Sequence, residues 1–548
     1  MKKNLNVIKA LFLAAAFAAP VLTSCSDDDD NTVINEENVV TDDATAIALA
    51  NGAYGPLQRL SSSFSFIIEL QSDQLISFEG EEEEAGPVNS RFEQTENTWY
   101  QVKIFNYLYT SITNDNTTIS EVTKAYNKGN VSTAAYNAAI GKAKLLRGLS
   151  YLYLVQLWGE VPVYTEEGGS ATARQSIDDV YAQIVKDLTD AEGLLLDYSG
   201  DPVTPSKQAA EALLARAYLN WGYQPLSQSE VAAIADTQTD PALRTDANKL
   251  QQAYAYAKKV IDSGNLKLAA DFSKLFGREY ESNKRGDNEH LLTIRHDGDS
   301  YDAQGNHQTH CSWTYPYQNG QNGQSFQQNH TEVADIDLYD TWLKAEPNDN
   351  RLAKTYIINA TNPEDKFVYS YYAPYYTPIN GKGYDESYDN SENEEIKYNS
   401  VDRIEVRYAE VLLIAAEALV QLNRNAEAAT YLNQIRQRAG VDSKSAPTFQ
   451  DIKDEWTYEF TYEQKSLLNH YRWKDLIANV KNVANYNHFD KANVDADSQA
   501  YAVASTYWQK VYTHLHAKYD NVRGKHYRQP IPLGLSGEAL GIDQNPGY

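Results

Sequence analysis

The residues of this sequence best suited to binding chemistry are aromatic. Trp313, Tyr315 and Tyr317 alternate, so an extended strand would set all three rings on one face. Flat rings in a row suit the C–H faces of sugars, and Gln318, Asn319, Gln321 and Asn322 follow closely enough to bond hydroxyls. The same alternation serves ordinary strand packing, and both uses stay open at this point. Tyr369, Tyr371, Tyr372, Tyr375 and Tyr376 form a second cluster. Phe78 and Trp99 are a third option, although Trp99 is expected to begin a helix and pack inward.

Other chemistry finds little footing. The sequence has no His-Glu-x-x-His, Cys-x-x-Cys, Gly-x-Ser-x-Gly or phosphate-binding Gly-Lys loop. Among 75 acidic residues, carboxylate pairs at glycosidase separation arise by chance, so no catalytic residue is assigned and an enzyme is not the expected class. His307, His310 and Cys311 offer three zinc ligands at loose spacing with no evident fourth. Asp297, Asp299 and Asp302, or Asp335, Asp337 and Asp340, offer oxygens to a structural Ca²⁺. Neither stretch has the Gly and closing Glu of an EF-hand, and no other cofactor is expected. A net charge of −27 repels phosphate backbones and argues against nucleic acid as a partner.

The elements that must position the aromatics are helices. Ile177, Val180, Ile184, Leu188, Ala191 and Leu195 recur at three- and four-residue steps and form one stripe. Leu145, Leu149 and Leu152 form another, stopped by Gly159 and Pro162. Ala210, Leu213, Ala217 and Trp221 follow Ser206, a suitable N-cap, and Ala253, Ala257, Val260 and Ile261 precede Gly264. The clearest stripe runs Ile404, Tyr408, Val411, Ala415, Ala418 and Leu422, with Glu405, Glu410 and Glu417 lying off it. A turn at Asn423 to Asn425 leads to Ala428, Leu432, Ile435 and Ala439, so the pair reads as an αα-hairpin. Stacked hairpins of this kind are tetratricopeptide-like, without a strict 34-residue period. Between about Asp271 and Ser400 the helical pattern fades into Gly, Asn, Gln, Asp and Tyr, which marks an irregular, aromatic-rich binding region.

The N-terminus suggests a compartment. Lys2, Lys3 and Lys9 precede an apolar run from Ala10 to Leu22, too short to cross a bilayer, which needs about 20 residues. The run closes in Leu22-Thr23-Ser24-Cys25, small residues before a cysteine, as in the lipobox of bacterial lipoproteins. Cys25 is therefore expected to carry acyl chains, and Asp27 to Asp30 resemble the acidic signal that sends some lipoproteins to the outer leaflet. The expected organisation is a signal peptide over 1–24, an acidic tether over 25–40 and a helical region over 41–270. The irregular binding region then spans 271–400, and a second helical region 401–548.

Longer blocks carry a resemblance. Ala143-Lys144-Leu145-Leu146-Arg147-Gly148-Leu149 runs on to Leu157-Trp158-Gly159-Glu160-Val161-Pro162. Ser206-Lys207-Gln208-Ala209-Ala210, Leu214-Ala215-Arg216-Ala217-Tyr218-Leu219 and Val260-Ile261-Asp262-Ser263-Gly264 follow. Then come Arg407-Tyr408-Ala409-Glu410-Val411-Leu412-Leu413, Ile435-Arg436 with Arg438-Ala439-Gly440, and the terminal Gln544-Asn545-Pro546-Gly547-Tyr548. In this order, with the lipobox, they resemble the SusD/RagB family of nutrient-uptake lipoproteins. Asp454-Glu455-Trp456 and Gln529-Pro530 depart from the family pattern at scaffold positions. The resemblance implies a helical scaffold that captures oligosaccharides, or in some members peptides, outside the cell. It also implies a partner TonB-dependent outer-membrane transporter and no catalysis. A surface glycosidase and a ligand-free scaffold are the competing readings.

Overall fold

The apolar stripes become helices that pack one upon the next. The computed structural model describes residues 39–77, 86–169, 173–276, 288–295, 333–334, 336–357, 359–361, 368–370, 379–382, 402–484, 513–532 and 542–548. Helices α1 (Asp43–Gly52) and α2 (Gly55–Ile68) lead to strand β1 (Leu75–Ile76) and the short α3 (Gly86–Ser90). The long helices α4 (Trp99–Asn127), α5 (Thr133–Trp158), α6 (Ile177–Leu194) and α7 (Lys207–Gly222) follow. After the short α8 (Gln228–Ile234), α9 (Ala247–Asp262) resumes the stack.

Strands then appear: β2 (His290–Ile294), β3 (Val333–Ala334), β4 (Tyr356–Ile357), β5 (Asn359–Thr361), β6 (Val368–Ser370), β7 (Ile379–Asn380) and β8 (Arg403–Arg407). Helices α10 (Ile336–Ala345) and α11 (Leu352–Thr355) sit among them. The chain returns to helix with α12 (Tyr408–Gln421), α13 (Asn425–Ala439), α14 (Phe449–Phe460), α15 (Ser466–Trp473) and α16 (Leu476–Ala484).

Packing follows chain order across a gap in sequence. α4 lies on α5, α5 on α6, α6 on α7 and α7 on α9; α9 then packs directly on α12, which pairs with α13. Residues 263–407 are thus an excursion between two touching helices. The mostly helical, tetratricopeptide-like expectation holds, and α12 with α13 is its clearest hairpin.

Local chemistry accounts for the close spacing. The side chains of α5 are buried almost without break from Leu145 to Trp158, as in an interior helix. A Cβ at Gly148 would meet the Leu188 side chain at 3.0 Å, and one at Gly141 would meet Leu195 at 2.8 Å, so glycine lets α6 approach. Arg147 of α5 is buried in the same interface. Its guanidinium donates to Asp187 of α6 at 2.5 and 2.8 Å and to Asn116 of α4 at 2.7 Å. Ser206 caps α7 as expected, accepting from the Ala209 amide at 3.2 Å.

One reading of the clearest stripe needs correction. Ile404 lies in β8, not in the helix, because β8 pairs antiparallel with β2 and sets Ile404 opposite Thr293. That pairing keeps the backbone extended through Arg407, and the helix starts only at Tyr408. Glu405, Glu410 and Glu417 lie off the apolar stripe yet are all buried. Arg216 of α7 takes Glu405 and Glu410 at 2.6 Å each, and Arg472 takes Glu417 at 2.8 Å. Tertiary ion pairing replaces the water that a helix face off the stripe normally meets.

Candidate functional site

Strand pairing shows where the aromatic segments are rooted. β1 pairs antiparallel with β3, setting Leu75 opposite Ala334 and Ile76 opposite Val333. β3 lies beside β7, and β7 pairs with β4 through Ile357 opposite Ile379. The last residue of β1 before 78–85, the first of β3 after 296–332 and the first of β7 after 371–378 therefore belong to one small patch of strands. Trp313, Tyr315, Tyr317, Tyr371, Tyr372, Tyr375 and Phe78 lie outside the described residues, as does Cys25. The ends of the 78–85, 296–332 and 371–378 segments are brought together by strands that sequence periodicity does not reveal, each two residues long.

Trp99 corrects one expectation. It begins α4 as anticipated, but its side chain is 56% exposed and does not pack inward. Tyr100, Gln101, Ile104 and Phe105 take the inner face of the first turns. Trp99 and Lys103, four residues apart, share the outer face, and the Lys103 ammonium stands 4.5 Å from the indole centroid. A large exposed ring is the kind of surface that a planar or C–H-rich ligand can cover.

Joined to the end of β7 through Lys382 is a buried ionic cluster that the sequence reading missed. Arg407 closes β8 and donates to Glu289 at 2.9 Å, to both Glu463 oxygens at 2.8 and 2.9 Å, and to Glu459. Glu459 also accepts from Arg438 and, at 2.8 Å, from Arg351. Arg351 reaches Asp349 at 2.6 Å and Glu455 at 2.6 Å. Lys382, two residues past β7, binds Glu463 at 2.7 Å and the Glu459 carbonyl at 2.8 Å. Burial alone would raise the pKa of Glu459, but the guanidinium groups of Arg438, Arg407 and Arg351 outweigh it and hold the carboxylate well below its usual range. The one available signal was spacing: Glu455, Glu459 and Glu463 recur every fourth residue among Trp456, Phe460 and Tyr462.

A second buried cluster carries a pH prediction. His470 of α15 meets Asp475 at 2.8 Å and Asp73 at 3.5 Å, and Lys453 holds Asp475 at 3.0 Å. Burial works against the charged imidazole, yet Asp475 and Asp73 prevail and raise its pKa from 6.5 to about 9. A folded pKa above the unfolded one gives stability that is complete below the unfolded value and lost as pH rises through the folded one. His470 should therefore contribute roughly 3 kcal/mol near pH 6, fading toward about pH 10. Urea midpoints of wild type and His470→Gln, measured at both ends of that window, should differ widely at the acid end and converge at the alkaline end. A constant difference would refute the charge.

Among the described residues no group of three or more His, Cys, Asp or Glu could hold a metal ion. Nor is any described helix long and apolar enough to cross a membrane. The zinc candidates and the first calcium stretch lie outside the described residues, as does Asp335.

Residues 272–548 match the family model described as the SusD family, and residues 22–219 match one described as starch-binding associating with the outer membrane. A SusD-like protein P2 of Formosa agariphila is 27% identical over 324 residues, 56% of this chain and 57% of that protein. A SusD-like protein of Bacteroides ovatus is 25% identical over 391 residues, 67% of this chain and 64% of that protein. The matched stretch thus spans less than two thirds of either relative. A solved structure of a laminarin-binding SusD-like protein superposes with a TM-score of 0.66 over 93% of this chain and 100% of that one, at 19% identity, a likeness of fold. With a family model matched across its C-terminal half, the chain belongs to the SusD family.

Proposed function

We propose that this chain is a lipid-anchored outer-membrane protein, facing the cell exterior, that binds oligosaccharide and passes it to a partner TonB-dependent transporter without catalysing a reaction. Acyl chains on Cys25 anchor it, and residues 25–40 act as the tether. The ligand is held on the 271–400 region, through Trp313, Tyr315 and Tyr317 with Tyr371, Tyr372 and Tyr375, and by Trp99. The observation that carries the reading is the strand patch, where β1, β3 and β7 tie the roots of three aromatic-bearing segments together. The exposed Trp99 ring supports it, as does a family description that names starch-binding.

Affinity electrophoresis and calorimetry with soluble starch, laminarin and a pool of short peptides test the proposal. Saturable binding of at least one glycan without turnover is the expected result. Failure on every glycan with binding of peptide would reject the sugar reading, and glycan cleavage would reject the non-enzymatic one. Trp99→Ala should weaken glycan affinity about tenfold, or ~1.4 kcal/mol, and leave the melting temperature unchanged because the ring is largely in water. Unaltered affinity would remove Trp99 from the site.

A further inference from the structure

The turn between α14 and α15 is unusual in both backbone and bonding. Tyr462 and Gln464 have φ of 64° and 59°, a left-handed conformation that residues other than glycine rarely adopt. With one residue between them, these two amides reach the approach to β1. The Tyr462 amide donates to Gln74 at 3.2 Å and the Gln464 amide to Glu69 at 2.9 Å. Between them, the Glu463 side chain reaches Lys382 just past β7 and Arg407 at the end of β8. Lys465 then holds Glu410 at 3.3 Å and the Glu405 carbonyl at 3.0 Å, and Ser466 bonds Asp73 at 3.1 Å. One turn thus ties β1, β7 and β8 to the helical stack, and β1 carries β3 with it.

The Glu463 side chain, on a turn between two helices, thus holds the residue just past β7 and the last residue of β8 together. Two left-handed residues in a row of three are retained where the surroundings over-determine the turn. We propose that Glu463 is a positioning residue, setting the spacing between the β1–β3 ribbon and β7 and through it the shape of the ligand surface. The consequence for ligand rests on the glycan-binding reading above; the positioning itself does not.

Hydrogen exchange on the full mature chain separates the two. Glu463→Gln should speed exchange of the β7 and β8 amides about tenfold or more while α5 and α6 keep their protection. Equal protection at the strands, or acceleration spread evenly over the molecule, would overturn the proposal. Lys382→Gln is the second variant should the first fold poorly. It keeps the pair between Arg407 and Glu463, so β7 alone should loosen, and a β7 as protected as in wild type would overturn the proposal as well. For whichever of soluble starch or laminarin the wild type binds, Glu463→Gln should weaken affinity about tenfold, and equal affinity would count against the positioning role. If wild type binds neither, the functional reading fails while the exchange data still judge Glu463.

Discussion

Glu459→Ala should cost the fold about 3–5 kcal/mol, the loss that follows when one member of a buried ionic group is removed and its partners stay behind. The carboxylate is fully buried and accepts from Arg351, Arg407 and Arg438, whose side chains are 0%, 0% and 4% exposed. Without it, those guanidinium groups face one another with fewer counter-charges and little water. Total stabilities near 5–15 kcal/mol are usual, so such a loss would remove a large share of the margin. Urea unfolding of wild type, Glu459→Ala and Glu459→Gln would measure it. The Gln variant keeps the shape but not the charge, and a loss below about 1 kcal/mol in both would mean that water already reaches the cluster.

The second large effect lies at the C-terminal clip. Asn545 is 1% exposed, and its amide donates to the Trp158 carbonyl at 3.1 Å and the Gln529 carbonyl at 2.7 Å while accepting from Arg174 at 2.5 Å. Gln544 pairs with both backbone groups of Ile531 at 2.6 and 2.8 Å, and the Tyr548 hydroxyl donates to the Arg528 carbonyl at 3.0 Å. Removing 544–548 would strip partners from groups on α5 and on 528–531. With about 1–3 kcal/mol for each buried group left unpaired, the truncation should cost on the order of 5 kcal/mol. Limited proteolysis and thermal melting of the truncated chain report the loss. A shortened chain that melts with the full one would show the clip to be an ornament of the surface.

The helical stack was legible because its signals are local. Period, caps and the turn at Asn423 to Asn425 all act within a few residues; α6, α7, α9 and α13 lie where the stripes predict, and α12 starts one turn late, at Tyr408. The strand patch was not legible, since β1, β3 and β7 are two residues each and no period can show in two residues. The ionic clusters escaped for a different reason. A glutamate off an apolar stripe ordinarily faces water, and only the fold brings Arg216 to Glu405 or Arg407 to Glu459 across long stretches of chain. Trp99 was misplaced because hydrophobicity alone argues inward, whereas its position at the first residue of α4 leaves the inner face to Tyr100 and Ile104.

The direct contact of α9 with α12 also bears on how the molecule comes into being. α9 packs on α7, which is made before it, and on α12, so the cover of its α12-facing side is not synthesised until residues 408–421 have been made. A contact between helices so far apart in sequence forms slowly, and until it forms that side of α9 lacks its cover. Apolar surface exposed in that interval is of the kind that chaperones cover on nascent chains.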